Sequence, residues 1–143
     1  MKTKPNKKNK QRYCYISGSI SNATDEEKEL FSIAEEEYRQ KGFCCYNPLA
    51  MDSVLGLTSA KCVEGGSQRA IALKRDCCWI CDHLPLIVML STFSKSSGSL
   101  MERALGTALG LEIVYYKPNN KALQAARAAV HADDNQRRNE ARA

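Results

Sequence analysis

Apolar positions along this chain follow two rhythms, one of period two and one of period 3.6. Tyr13 to Ser17 alternates and stops at Gly18, as a first strand does. Thr24 and Glu27 then form the T-x-x-E pattern of a capping box, and Leu30, Phe31, Ala34 and Tyr38 recur at helical spacing with glutamates filling the other face. Gly42 predicts the end of that helix. Phe43 to Tyr46 predicts a short second strand, stopped by Asn47-Pro48. Met51 to Gly66 contains three glycines and little periodicity, so a mobile loop or lid is expected there.

Ser67 to about His83 predicts a helix with Ala70, Leu73 and Cys77 on one face. Leu86 to Leu90 is nearly all β-branched or aliphatic, as expected at the centre of a parallel sheet. A polar loop, Ser91 to Ser97, leads to a helix over Ser99 to Leu109 closed by Gly110, and then to a strand over Leu111 to Tyr116. Pro118-Asn119-Asn120 turns the chain into an alanine-rich helix of about Lys121 to His131, with a fraying polar tail after it. There is no internal repeat. Alternating strands and helices imply a single Rossmann/flavodoxin-like α/β domain over residues 13–131, a parallel sheet of about four to five strands with helices on both faces. Ligands on such sheets sit beyond the carboxyl ends of the strands, which gathers Ser17-Gly18-Ser19, Asn47-Pro48 and the Ser91 to Ser97 loop around one crevice.

Charge changes this picture only at the N-terminus. Six of the 21 basic residues lie in the first twelve, with no acidic residue among them, so the net charge of +5 belongs to a tail (residues 1–12) and the body is close to neutral. Such a tail is either solvated and disordered or an electrostatic arm for RNA, DNA or an acidic partner; it lacks aromatic residues to stack on bases. No apolar run approaches the roughly 20 residues of a membrane span, and the basic start lacks a secretory signal's apolar stretch. A cytoplasmic protein without a membrane partner is expected. Seven cysteines, an odd number, suit free thiols in a reducing compartment. Cys77, Cys78 and Cys81, with a lone C-x-x-C, are expected as small buried apolar side chains rather than metal ligands.

Candidate chemistry lies at the crevice. Tyr15-Ile16-Ser17-Gly18-Ser19-Ile20 runs a strand into a turn whose backbone amides can approach an anion or sugar hydroxyls; a simple turn is the plain alternative. Ser96-Ser97-Gly98-Ser99-Leu100-Met101-Glu102 opens a helix after the strongest strand, and Glu102 is either a site carboxylate or the structural half of a capping box with Ser99. Asp76, beside Lys74 and Arg75, is either a solvated helix charge or a second site carboxylate, with Asp82 as its competitor.

Together these residues resemble the nucleoside 2-deoxyribosyltransferase superfamily, which includes the 2′-deoxynucleoside 5′-monophosphate N-hydrolases and a related bacterial and phage domain of unknown function. The resemblance runs from Tyr15 to about Asn120. The Y-x-x-G-S-I pattern of the hydrolases is matched by Tyr15, Gly18, Ser19 and Ile20, their D-x-x-W by Asp76 and Trp79, and their S-x-G-x-x-x-E by Ser96, Gly98 and Glu102. The phage and bacterial relatives look closer, with Arg75-Asp76 before the central strand, Asn47-Pro48 after the second and Phe93 in place of a tryptophan. The chain departs from them at Ser91-Thr92, where they have Pro-Gly, and at Cys81-Asp82, which falls about two residues early. It also has Asn120 where the hydrolases bring a serine to a neighbouring subunit's phosphate.

The resemblance implies cleavage or exchange at an N-glycosidic bond of a nucleoside or its 5′-monophosphate, in a homodimer or larger homo-oligomer, without a cofactor. Glu102 would be the nucleophile at C1′. Asp76 would orient the sugar or assist the leaving base, and Tyr15 would position Glu102 or a sugar oxygen. Ser17, Ser19, Ser96 and Gly98 would hold sugar hydroxyls or phosphate, and Phe93 would stack on the base. Whether water or a second base accepts the sugar, making a hydrolase or a transferase, stays open. So do a catalytically silent nucleotide-binding module and a nucleic-acid-associated protein working through residues 1–12.

Overall fold

Strand alternation sorts the core into two halves. In β1 (Arg12–Ser17), Cys14 and Ile16 face one side and Tyr15 the other; in β3 (Leu86–Met89), Val88 faces the first side while Ile87 and Met89 face the second. The computed structural model describes residues 10–21, 23–56 and 67–143. With β2 (Phe43–Tyr46) and β4 (Ile113–Tyr115), these strands form one parallel sheet in the order β2-β1-β3-β4. The result is a single α/β domain of the Rossmann/flavodoxin-like kind. Its strand order reverses direction between β1 and β3, the switch point where such sheets open a crevice.

Helix α1 (Asp25–Gln40) covers the first face through Leu30, Phe31, Ala34 and Tyr38, joined by Leu123 of α5 (Asn120–Arg142). The expected capping box forms: Thr24 Oγ1 accepts from Glu27 N at 3.2 Å and Glu27 Oε2 accepts from Thr24 N at 2.9 Å. Helices α3 (Ser67–His83) and α4 (Ser97–Ala108) cover the second face through Trp79, Ile80 and Leu105. Gly106 allows the close approach of α4 to the sheet there, since a Cβ would force the Ile87 Cδ1 methyl to move.

Four expectations change. Asn47-Pro48 does not merely stop β2 but starts helix α2 (Pro48–Val54), with Asn47 Oδ1 accepting from Leu49 N at 3.1 Å and Ala50 N at 3.3 Å. An asparagine N-cap followed by proline at the first helical position overrides the weak periodicity. The expected lid therefore begins as a helix, and its stretch at 57–66 lies outside the described residues, as does most of the basic tail (1–9). Helix α4 starts at Ser97 with Ser96 as its cap, two residues earlier than expected. Helix α5 continues to Arg142 instead of fraying after His131, supported by i,i+4 pairs between Asp133 and Arg137 (2.7 Å) and Gln136 and Glu140 (3.0 Å). Among the described residues no helix is long and apolar enough to cross a membrane.

Candidate active site

The crevice opens where β1 and β3 end. Leu90 N donates to Ser17 O at 2.7 Å, holding the two strand ends together. Gly18 then passes close over the core: a Cβ there would lie 3.0 Å from Leu90 Cδ1 and 3.1 Å from Phe31 Cζ, so those side chains would have to give way. Ser19 N donates to Thr92 Oγ1 at 3.0 Å, tying this turn to the loop after β3. Gly18, Ser19 and Ile20 line one wall, Ser96 and Gly98 another, and Asp76 and Glu102 also reach the cavity.

Glu102 lies in the second turn of α4, so it cannot be the structural half of a capping box; Ser96 Oγ caps the helix by accepting from Ser99 N at 3.1 Å. Ser99 instead bonds Ser17 through their hydroxyls at 2.6 Å, pinning α4 to the end of β1. This delivers Glu102 to the crevice floor at 6% exposure, with Oε2 buried and lacking a hydrogen-bond partner among the described residues. Burial pushes its pKa up to about 8; the Tyr15 and Ser17 hydroxyls pull it back, while the charge of Asp76 adds to the rise.

Tyr15 is fully buried, its ring stacked on Tyr46 at 5.3 Å, and its hydroxyl also lacks a partner. Burial, then the neighbouring charges of Glu102 and Asp76, raise its pKa well above the ordinary phenol value. Tyr15 and Glu102 thus act on each other, the tyrosine hydroxyl lowering the Glu102 pKa and the carboxylate raising that of Tyr15. Asp76 is not a solvated helix charge: at 6% exposure its Oδ1 accepts from Tyr46 Oη at 2.9 Å and from Arg75 Nε at 2.7 Å. Burial raises its pKa and Arg75 opposes the rise. Its competitor Asp82 is exposed and lies by the opposite end of the sheet, near Leu86 and Glu112.

Four expected site residues do not offer their side chains to the crevice. Ser17 is fully buried and its hydroxyl is taken up by Ser99. Asn47 spends its side chain on capping α2 and on Glu35, to which Nδ2 donates at 2.9 Å. Phe93, in a short 3-10 turn (Phe93–Lys95), packs on Tyr115 at 5.5 Å and under the Arg103 guanidinium at 5.2 Å, so its ring is not a crevice platform. Asn120 is the exposed first residue of α5, outside this chain's own crevice. Of the cysteine cluster, Cys78 and Cys81 are exposed and Cys77 half-buried, because α3 turns that face outward; they are not the buried apolar side chains expected. Among the described residues no group of three or more His, Cys, Asp or Glu is placed to hold a metal ion.

Residues not anticipated complete the crevice. Asp52 enters from α2, Arg69 from α3 and Lys95 from the loop after β3. Arg69 donates to the Ser97 hydroxyl, and Lys95 pairs with Glu27 at 2.9 Å. Asp52 was detectable through the Asn47-Pro48 helix start, which places it one turn into a helix flanking the crevice. Arg69 carried no local signal; Lys95 lies in the Ser91 to Ser97 loop already expected at the crevice, where nothing singled it out.

Residues 12–115, nearly three-quarters of the chain, match the model of the family described as domain of unknown function DUF4406. The chain belongs to the DUF4406 family. The matched segment runs from the first residue of β1 to the last of β4, so the DUF4406 unit is the sheet with the helices between its strands, and α5 is appended to it. No curated protein and no solved structure matches the chain.

Proposed function

We propose that this protein cleaves the N-glycosidic bond of a nucleoside or nucleoside 5′-monophosphate. The observation that carries the reading is Glu102, a buried carboxyl with a free oxygen on the floor of a crevice at the sheet's switch point. Breaking the bond from C1′ to a base nitrogen leaves oxocarbenium-like positive charge on the sugar, which a poorly solvated carboxylate meets without first shedding water. Ionised Glu102 attacks C1′, the bond to the base breaks, and the base leaves with the electron pair and takes up a proton. Water, or a second base, then displaces Glu102 from C1′. In this reading Tyr15 holds the attacking oxygen, and Asp76 holds a sugar hydroxyl or the departing base. The resemblance of Tyr15, Gly18, Ser19, Asp76, Ser96, Gly98 and Glu102 to the nucleotide hydrolases supports the same reading. A cytoplasmic setting follows from a substrate of this class and from the exposed thiols of Cys44, Cys78 and Cys81.

The test is chromatography of free base released from a panel of nucleosides and 5′-monophosphates, with and without an acceptor base, wild type beside Glu102→Ala. Release that disappears in the variant is expected; dependence on the acceptor identifies a transferase. Tight ligand binding without release from any substrate overturns catalysis and leaves a sequestering module.

A further inference from the structure

Asp76 is held in an asymmetric way that the proposed reaction alone does not explain. All of its hydrogen bonds and ion-pair contacts converge on Oδ1: Tyr46 Oη at 2.9 Å, Arg75 Nε at 2.7 Å and Arg75 Nη2 at 2.6 Å. No partner among the described residues reaches Oδ2, although Asp76 lines the crevice. Arg75 is itself anchored from the other side, because the same Nη2 donates to Asp52 Oδ1 at 2.8 Å. The three side chains are sheltered, at 13% exposure for Asp52, 16% for Arg75 and 9% for Asp76. One guanidinium nitrogen therefore serves two carboxylates, and those carboxylates come from different helices.

We propose that Asp52 and Arg75 form a positioning pair: Asp52 tethers the Arg75 guanidinium, which clamps Asp76 by one oxygen and presents the other, Oδ2, to substrate. A carboxylate free to rotate exchanges its two oxygens, whereas one gripped at a single oxygen by two hydrogen bonds and an ion-pair contact offers a fixed lone pair. Such pre-organisation removes an ordering cost from the chemical step. The planar guanidinium suits this task because its Nε and Nη2 reach one oxygen while Nη2 also meets a second acid; an ammonium has no such fork. Arg75 also lies over the Tyr46 ring, 5.9 Å from its centroid, so the aromatic ring that donates to Asp76 buttresses the clamp as well. The pair is a positioning device, and its role in turnover rests on the glycosidase reading.

Among the described residues, the charged and titratable groups facing Asp76 are Arg75 and Cys77 on its own helix, Asp52 on α2, Tyr46 on β2, Tyr15 on β1 and Glu102 on α4. Of these, Asp52 is the negative group that shares the arginine. Its removal deletes a repulsion, which favours the ionised form of Asp76.

The experiment is carbon-13 NMR titration of the Asp76 carboxyl, assigned with Asp76→Asn, in wild type, Asp52→Asn and Asp52→Ala, with kcat and KM measured beside it. Asp52→Asn keeps an acceptor for Arg75 and drops the charge; Asp52→Ala drops both. The Asp76 midpoint is expected to fall by about one pH unit in both variants. The value of kcat is expected to fall about tenfold in Asp52→Ala with KM little changed, and to be largely restored in Asp52→Asn. Arg75→Lys, which keeps charge without the fork, should resemble Asp52→Ala. An Asp76 midpoint identical in all three proteins overturns the pair, as does wild-type kcat in Asp52→Ala or Arg75→Lys. The titration reads out without turnover, so an inactive wild type in which the midpoint still moves defeats the glycosidase reading and spares the clamp.

Discussion

The two faces of the sheet are made by the same strands and have opposite chemistry. On the α1/α5 face, Cys14, Ile16, Leu30, Phe31, Val88 and Leu90 form a dry cluster whose one prominent polar contact is between sulfurs, Cys14 Sγ and Cys45 Sγ at 2.7 Å. Burial raises the Cys14 thiol pKa far above its usual range, so this pair stays uncharged. On the α3/α4 face, alternate positions of β1 and β2 carry Tyr15, Ser17 and Tyr46, and the helices bring Asp76, Arg75 and Glu102. Residues one apart in β1 therefore serve different ends: Ile16 is surrounded by hydrocarbon, whereas Tyr15 packs its ring in the second apolar cluster and brings its hydroxyl under the charges of Glu102 and Asp76. Both faces bury an apolar cluster. The second also buries polar groups with unmet hydrogen bonds, which offset part of what its packing supplies.

Glu102→Gln should separate the faces most sharply. Turnover should fall by about a thousandfold or more, since an amide cannot form the glycosyl ester. Stability should move the opposite way. A native pKa of about 8 against an ordinary value of 4.5 means that the native state keeps its proton where the unfolded chain has lost it. The carboxyl's contribution is whole below the unfolded value and drains away as pH rises from 4.5 through 8. At pH 7 the glutamine variant should be more stable by on the order of 3 kcal/mol, read by urea denaturation, and the gap should close on acidification. For the wild type, kcat/KM should rise with pH and level off above about 8, as the nucleophile ionises.

The matching change on the dry face is Leu30→Ala. It should cost about 3 kcal/mol in the same denaturation experiment, while the folded fraction retains wild-type kcat. A large kcat loss there would show that the faces are not independent. Tyr15→Phe is the finer probe. Deleting a buried hydroxyl without a partner should leave stability unchanged or raise it by up to about 1 kcal/mol, while kcat falls about tenfold. The smallest effect belongs to neither face. Leu84 ends α3 with φ at 48°, in the left-handed region, and its side chain is 58% exposed. Leu84→Gly should raise stability by about 1 kcal/mol, seen as a higher Tm with kinetics untouched.

Much of the fold was legible because its signals are local. Thr24 and Glu27 announce α1, Gly42 closes it with φ at 90°, and Leu86 to Met89 can hardly be anything but a buried strand. Glu102 and Asp76 were legible as candidates through motif spacing, and the structure adds the burial and pairing that spacing does not carry. The rest was hidden for identifiable reasons. Met51 and its neighbours lack a clear apolar stripe, so α2 was missed although Asn47 and Pro48 spell a helix start. With it went Asp52, whose partner Arg75 stands 23 residues further along the chain. Phe93 was misplaced because position after a strand does not say which way a ring points. Here Tyr115 on the next strand and Arg103 on the following helix claim it.

Gly18 has a consequence for anyone re-engineering the molecule. Its missing side chain leaves room for Leu90 and Phe31, both members of the dry cluster, and its backbone is at the same time a wall of the crevice. The crevice wall therefore rests on hydrocarbon from the far side of the sheet. A larger residue at 31 or 90 would push outward through position 18 and be felt as altered ligand affinity, far from any group that touches the ligand. Repacking for thermostability should begin at the α5 end of that cluster and leave those two positions alone.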